Sequence, residues 1–197
     1  YKRQLLFRPL PRHLDEAAVC AALAPSKDVD GITAGSLAGV FAGSGSGFPP
    51  CTAQACLEIL DYYGYELTGK RAVVVGRSLV IGKPAAMLLL QRNATVTLCH
   101  TRTADLAAEC RRADVLIAAA GKAGMLGVSH IAPGQAVIDV GINLDADGML
   151  VGDVDFAAAE PVADAVTPVP GGVGAVTTSV LARHVAEAAA RLHGLGG

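Results

Sequence analysis

Residues 71–84 read Arg71-Ala72-Val73-Val74-Val75-Gly76-Arg77-Ser78-Leu79-Val80-Ile81-Gly82-Lys83-Pro84, a short apolar run, a glycine turn and the opening of an Ala/Leu-rich segment. The run at 72–75 has no polar face, so it reads as a buried central strand rather than a half-exposed hairpin strand. In the turn, Gly76 and Gly82 permit tight geometry and close approach of a ligand, while the N–H groups opening the next helix attract phosphate. A bare glycine turn does no more than bend the chain, and this spacing is not GxGxxG. The order strand, turn, helix is what points to a dinucleotide.

The same alternation continues outward. Short β-branched or apolar runs at 95–99, 115–119 and 136–140 are separated by helical segments at 84–91 and 104–112, the pattern of βαβ units in a parallel sheet. Ahead of the turn, 5–7 reads as a short strand ending at Pro9-Leu10-Pro11 and 15–23 as a helix with Leu14, Val19 and Leu23 toward a core. A second helix at 52–63 would start on Thr52 as N-cap and bury Cys56, Leu57 and Leu60. Beyond 140 come short strands near 149–151 and 165–167, and a last helix at 175–192 with Val176, Val180, Leu181, Val185 and Leu192 on its apolar side. The fold class is therefore α/β, a Rossmann-like doubly wound parallel sheet. A lone strand and helix at the front bury too little to form a domain, so they read as the C-terminal part of a smaller α/β domain. The expected boundaries are 1–50 for that part, 51–174 for the Rossmann domain and 175–197 for a helix packing back toward the front.

Composition narrows the function classes. The chain has 197 residues, 52% hydrophobic and 4% aromatic, with 16 Lys and Arg against 18 Asp and Glu. A net charge of -2 gives no field for binding along nucleic acid or an anionic membrane, so small molecules or protein are the expected partners. The five cysteines are scattered without a CxxC pair, which suggests neither a disulfide framework nor a metal site and fits a reducing compartment. The uncharged span 32–57 is broken by Gly43, Gly45, Gly47, Pro49 and Pro50, and no transmembrane segment is expected. No leader opens the chain, and the start at Tyr1 rather than Met reads as that of a fragment.

The end of the second strand selects the cofactor. An acidic residue there would accept from the adenosine ribose of NAD, whereas a basic one accommodates the 2′-phosphate of NADP. The sequence reads His100-Thr101-Arg102-Thr103, with Arg77 in the first turn, and NADP is the better fit. Two further stretches, Asp139-Val140-Gly141-Ile142-Asn143 and Thr167-Pro168-Val169-Pro170-Gly171-Gly172-Val173-Gly174, accompany Lys27-Asp28-Val29-Asp30-Gly31 and Pro50-Cys51-Thr52. Singly each has a plain reading: a satisfied strand-end carboxylate, a rigid turn, the common Asp-Gly turn signal.

Together, Pro9-Leu10-Pro11, KDVDG at 27–31, PCT at 50–52, GRSxxxGKP at 76–84, CHTRT at 99–103, DVGIN at 139–143, GDV at 152–154 and TPVPGGVG at 167–174 resemble the methylenetetrahydrofolate dehydrogenase/cyclohydrolase family. They run in family order over nearly the whole chain. The resemblance implies a two-domain subunit, with folate in a cleft between an N-terminal α/β domain and a Rossmann domain holding NADP. Hydride would pass from methylenetetrahydrofolate to NADP, and water would open the methenyl product to formyltetrahydrofolate. Asp30 would be the catalytic-site carboxylate that binds the folate. Gly76, Arg77, Ser78, Gly82, Thr101, Arg102 and Ile142 would contact the cofactor. Pro9, Leu10, Pro170, Gly171, Gly172 and Gly174 would border the folate and nicotinamide. His100 would shape the adenosine pocket without moving a proton, and Cys51, with no partner base indicated, would be a wall of the cleft. A cytoplasmic homodimer without a metal is also implied.

The sequence departs from that pattern at the front. The family's acid/base Lys lies in a Tyr-x-x-x-Lys motif, and none precedes 5–7. Aligned on Pro9, the place of the Gln that assists the Lys is taken by Phe7 in Leu6-Phe7-Arg8. Phe neither donates nor accepts the bond that would orient a lysine, a change that bears on the hydrolysis step. Either residues upstream of Tyr1 supply the motif, or the chain is a relative that binds NADP without the complete chemistry, a binding module or regulatory subunit. A different NADP dehydrogenase, such as a shikimate-type enzyme, is argued against by the DVDG and PVPGGVG stretches.

Overall fold

The run Arg71–Val75 forms the central strand that its apolar composition requires, in a computed structural model that describes residues 5–7 and 10–194. In chain order the elements are α1 (Glu16–Ala22), α2 (Ala34–Ala42), α3 (Cys51–Tyr62), β1 (Arg71–Val75), α4 (Gly82–Gln91), β2 (Thr95–Cys99), α5 (Leu106–Arg111), β3 (Val115–Ala118), β4 (Ala136–Asp139), β5 (Asn143–Leu144), β6 (Leu150–Val151), α6 (Phe156–Ala159), β7 (Ala165–Val166) and α7 (Val173–Leu192). Five strands pair in the order β2-β1-β3-β4-β7, all parallel, with Val75 opposite Cys99 on one side and Ala118 on the other. The chain leaves β1 for β2 and returns to the far side of β1 for β3. That reversal opens a crevice at the carboxyl ends of β1 and β3.

Strand side chains alternate between two cores. Val74, Val115, Ile117, Ala136 and Ile138 face α3, α4 and α7 through Leu57, Leu60, Leu89 and Val180. Val73, Val75, Leu116, Ala118 and Val137 face the opposite layer, where Cys110 of α5 and Ala159 of α6 cover them. Both faces are covered, which is why the strand sequences read as continuous apolar runs. Each fully buried Leu or Ile contributes roughly 1.5–3 kcal/mol relative to exposure. The antiparallel β5-β6 pair stands apart from this sheet.

Several expectations are corrected. Residues 5–7 form no strand, since no strand among the described residues lies beside them to pair with. The first helix forms, capped by Asp15 whose carboxylate accepts from Ala18 N–H, yet it buries none of its residues, and Leu14 and Val19 are exposed. Thr52 is not an N-cap: the helix begins at Cys51, with Pro50 in the cap position and no side-chain cap. Leu192, expected on the apolar side of α7, is exposed, and His184 and Ala188 are buried in that face instead. Helix α2 was not foreseen, because Gly35 and Gly39 argue against a helix. Gly39 is there for packing: a Cβ at that position would lie 2.0 Å from the Ser46 carbonyl oxygen.

Candidate functional site

The turn after β1 is built by backbone crowding. Gly76 has φ +128, and a Cβ on it would lie 2.0 Å from the Ala119 carbonyl oxygen at the end of β3. One on Gly82 would lie 2.0 Å from the Gly76 carbonyl oxygen. Bare glycine backbone at both positions lets the turn fold onto the crevice and brings α4 in end-on. Ser78 accepts at its hydroxyl from Ile81 N–H (3.1 Å) and at its carbonyl from Lys83 N–H (3.0 Å), so it braces the turn. The Arg77 and Ser78 side chains lie in solvent at the lip. Gly76 N–H bonds the Cys99 carbonyl, which brings the His100–Thr103 turn beside it. There His100 Nδ1 accepts from Arg102 N–H (3.1 Å), and Thr103 Oγ1 accepts from His100 N–H (2.9 Å). Thr101 and Arg102 are exposed on the same edge. The six expected cofactor residues of the first two strands thus share one rim. The glycine cradle, the helix N-terminus and the exposed guanidinium groups fit a dinucleotide with a phosphorylated ribose.

Two buried carboxylates hold the opposite rim. Asp139, at the end of β4, accepts from Gly141 N–H (2.9 Å), Asp153 N–H (3.0 Å) and Val154 N–H (2.9 Å). Burial pushes its carboxyl up from the ordinary range, and those backbone donors oppose the rise. Asp153 in turn accepts from Ala120, Gly121 and Lys122 N–H (2.6, 2.8 and 2.8 Å) and from the Asn143 amide (2.9 Å). The plain reading of Asp139 as a satisfied strand-end carboxylate is thus correct. The DVGIN and GDV stretches are loops tied to each other, and Asp153 is a site-forming residue that the sequence reading passed over.

Beside this rim, a cavity of about 350 Å³ is lined by Ile142, Pro170, Gly171, Gly172 and Gly174, together with Thr52 and Asp139. The Val169–Pro170 peptide bond is cis. Five residues expected at the cofactor, folate or nicotinamide are brought together here. Asp30 and Phe7 line a separate cavity at the front of the molecule, Leu10 lines neither, and Pro9 and Arg8 lie outside the described residues.

In KDVDG the two acids divide the work. Asp28 is buried, its carboxylate accepting from Ile32 N–H (3.0 Å), Thr33 N–H (2.7 Å) and Ser36 Oγ–H (2.7 Å) at the head of α2. Asp30 is half-buried and faces its cavity. Cys51 is fully buried, and its thiol donates to the Val29 carbonyl (3.3 Å). The Nδ1 of His184 in α7 lies 3.5 Å from its sulfur and 2.9 Å from the same Val29 carbonyl, to which it donates, so it offers the thiol no base. Burial, with the Asp30 carboxylate adding to it, pushes the thiol well above its ordinary range, so Cys51 stays protonated and is no nucleophile.

The family model for the tetrahydrofolate dehydrogenase/cyclohydrolase NAD(P)-binding domain matches residues 50–193. The chain belongs to the tetrahydrofolate dehydrogenase/cyclohydrolase family. It is 56% identical over 193 residues to the bifunctional protein FolD of Carboxydothermus hydrogenoformans, covering 97% of this chain and 67% of that relative. Among solved structures it resembles the bifunctional FolD enzyme of Campylobacter jejuni (TM-score 0.91, 39% identity, 93% of this chain and 65% of that one). It also resembles the Trypanosoma brucei FolD complexed with NADP cofactor and inhibitor (TM-score 0.87, 39% identity, 94% and 65%). This member of the tetrahydrofolate dehydrogenase/cyclohydrolase family thus spans about two thirds of each relative's length. Among the described residues no helix is long and apolar enough to cross a membrane.

Proposed function

We propose that this protein oxidises methylenetetrahydrofolate to methenyltetrahydrofolate with NADP, hydrolysis to formyltetrahydrofolate following in the same cleft. The observations that carry the reading are the DVGIN and PVPGGVG loops lining one cavity and the phosphate-type turn pressed against the end of β3, in a chain of this family. NADP, when bound, takes up the hydride. The protein's part is to hold two rings in contact, which converts an encounter into a positioned reaction. Gly76, Ser78 and Gly82 receive the pyrophosphate, and Arg77 and Arg102 supply positive charge for the 2′-phosphate. Thr101 lines the adenosine side. Ile142, Pro170, Gly171, Gly172 and Gly174 form the wall along the nicotinamide and the folate, and Asp30 bonds the pterin, with Pro9 and Leu10 nearby. The reading places the enzyme in the cytoplasm as a homodimer paired through its Rossmann domain, supplying one-carbon units for purine biosynthesis.

A second reading, a module that binds NADP without completing hydrolysis, is favoured by Phe7. Its exposed ring shares the cavity of Asp30 and offers no hydrogen bond there. Absorbance assays of methenyltetrahydrofolate formation with NADP and with NAD test the proposal. NADP-dependent formation supports it, and accumulation of the methenyl compound without decay favours the second reading. Absence of both NADP binding and turnover overturns the first. Asp30→Ala should impair folate use with NADP binding near normal; unchanged folate turnover would remove Asp30 from the site.

A further inference from the structure

We propose that His184 is a positioning residue for the folate site, fixing the Asp30 carboxylate through the Val29 carbonyl. This rests on the reading of Asp30 given above. His184 projects from the middle of α7 and is 2% exposed, with its ring 4.8 Å from that of Phe48. Its Nδ1 lies 2.9 Å from the Val29 carbonyl oxygen. A carbonyl only accepts, so Nδ1 carries the proton and donates. The Cys51 thiol donates to the same oxygen, and one carbonyl receives both donors.

The geometry makes this more than a packing contact. The Val29 carbonyl and the Asp30 N–H belong to one rigid peptide plane, so fixing the direction of the C=O fixes where Asp30 begins. On either side the loop is held by other means. Asp28 is locked into the head of α2 by its three hydrogen bonds. Gly31 has φ +66, and a Cβ there would lie 2.4 Å from the Pro50 nitrogen, so its backbone is pressed against the start of α3. Val29 itself is buried with Phe48 and Ala188. Asp30 is the least buried residue of the 28–31 stretch; Leu181, Val185 and Ala188 of α7 pack on Val29, and among the described residues the side-chain hydrogen bond from α7 to the peptide plane of Asp30 is that of His184. The same helix starts at the PVPGGVG loop. His184 therefore ties the folate carboxylate to the element that carries the nicotinamide-side wall.

The test compares His184→Leu, His184→Asn and Cys51→Ala with the parent protein, measuring tetrahydrofolate and NADP dissociation constants and amide hydrogen exchange at 28–32. The Asn side-chain nitrogen stands as many bonds from the backbone as Nδ1 and can donate in its place. His184→Leu should weaken folate about tenfold and leave NADP within about twofold, the loss of one hydrogen bond at a single site. His184→Asn should restore folate to within about threefold of the parent, and Cys51→Ala should lose less than His184→Leu, in the same direction. Val180→Ala, a core change on the same helix, serves as the packing control: it should lower thermal stability without altering the folate-to-NADP ratio. Equal loss of both ligands in His184→Leu, or an Asn variant no better than Leu, overturns the proposal. Should His184→Leu fail to fold, His184→Asn decides: folate weakened by more than about threefold relative to the parent overturns it. A parent protein that binds NADP and no folate overturns the functional reading itself. The exchange data then report separately whether His184 anchors the loop.

Discussion

Replacing Gly76 with Ala adds one methyl group at the tightest point of the crevice, and its cost can be worked from two distances. The new Cβ would lie 2.0 Å from the Ala119 carbonyl oxygen and 2.7 Å from its carbon. A relaxed carbon-to-oxygen contact needs about 3.3 Å, so the ends of β1 and β3 must part by more than about 1 Å. That displacement disrupts the Ala119 N–H bond to the Val75 carbonyl, now 2.8 Å, at about 1 kcal/mol. The backbone at φ +128 adds about 1–3 kcal/mol of strain for any residue with a side chain. The sum is about 2–4 kcal/mol, a fall in Tm of roughly 4–16 °C for a domain of this size. Gly121→Ala is the matched control. It lies at φ +69 with nothing within 4 Å of its Cβ, so it should cost only the left-handed strain of about 1–2 kcal/mol. Urea unfolding gives the stability difference, and titration calorimetry should show NADP bound about tenfold more weakly to Gly76→Ala, equivalent to about 1.4 kcal/mol. Equal destabilisation by the two substitutions, or undiminished NADP affinity in Gly76→Ala, would refute the argument from crowding.

Other outcomes follow from the same geometry. Arg77→Ala should weaken NADP about tenfold and NAD by less than about twofold, as measured by dissociation constants for both; equal losses would end the 2′-phosphate assignment. Asp28→Ala leaves the Ile32, Thr33 and Ser36 donors without their acceptor and should cost about 2–4 kcal/mol in urea unfolding, with a midpoint unchanged from the parent counting against it. Burial lowers the His184 pKa in the folded protein, with Arg183 lowering it further and the bond to the Val29 carbonyl, Glu187 and Asp30 opposing. The unfolded chain therefore takes up a proton below about pH 6.5 that the folded one refuses, and stability is full above that pH and lost as pH falls through it. His184→Asn should flatten this part of the stability profile; an unchanged acid limb would contradict the assignment.

The parallel sheet was legible in the sequence because its inner strands are buried on both faces and carry no polar alternation, so 72–75, 115–119 and 136–140 are matched within one position at each end; 95–99, an edge strand with Thr95 and Thr97 exposed, is matched to the residue through its β-branched run. The rims of the crevice were legible because their chemistry needs glycine backbone and exposed cations at fixed places along the chain. The front was not. The pattern at 14, 19 and 23 describes an amphipathic helix, but periodicity says nothing about whether another element covers that face, and here Leu14 and Val19 are exposed. Helix α2 was hidden by Gly39, whose lack of a side chain serves close approach to Ser46. His184 escaped notice because it sits 155 residues from Val29 and 133 from Cys51, and only the docking of α7 brings them together. Thr33 before Ala34-Gly35-Ser36 was the signal that could have revealed α2, since its hydroxyl caps Ser36 N–H.

The tandem of Asp139 and Asp153 has a dynamic consequence. The loop at 120–122 is exposed, whereas 152–154 is buried with Val154 in the core, and two carboxylates, one of which holds the backbone N–H of the other, tie both of them and 141–143 together. Opening any one loop takes N–H donors away from a buried carboxylate that the other two still enclose. The three are therefore expected to open as one cooperative unit, with a shared exchange rate at amides scattered over more than thirty positions of sequence, slower at 120–122 than that loop's exposure alone would give. A crevice wall of this kind moves as a whole or stays closed.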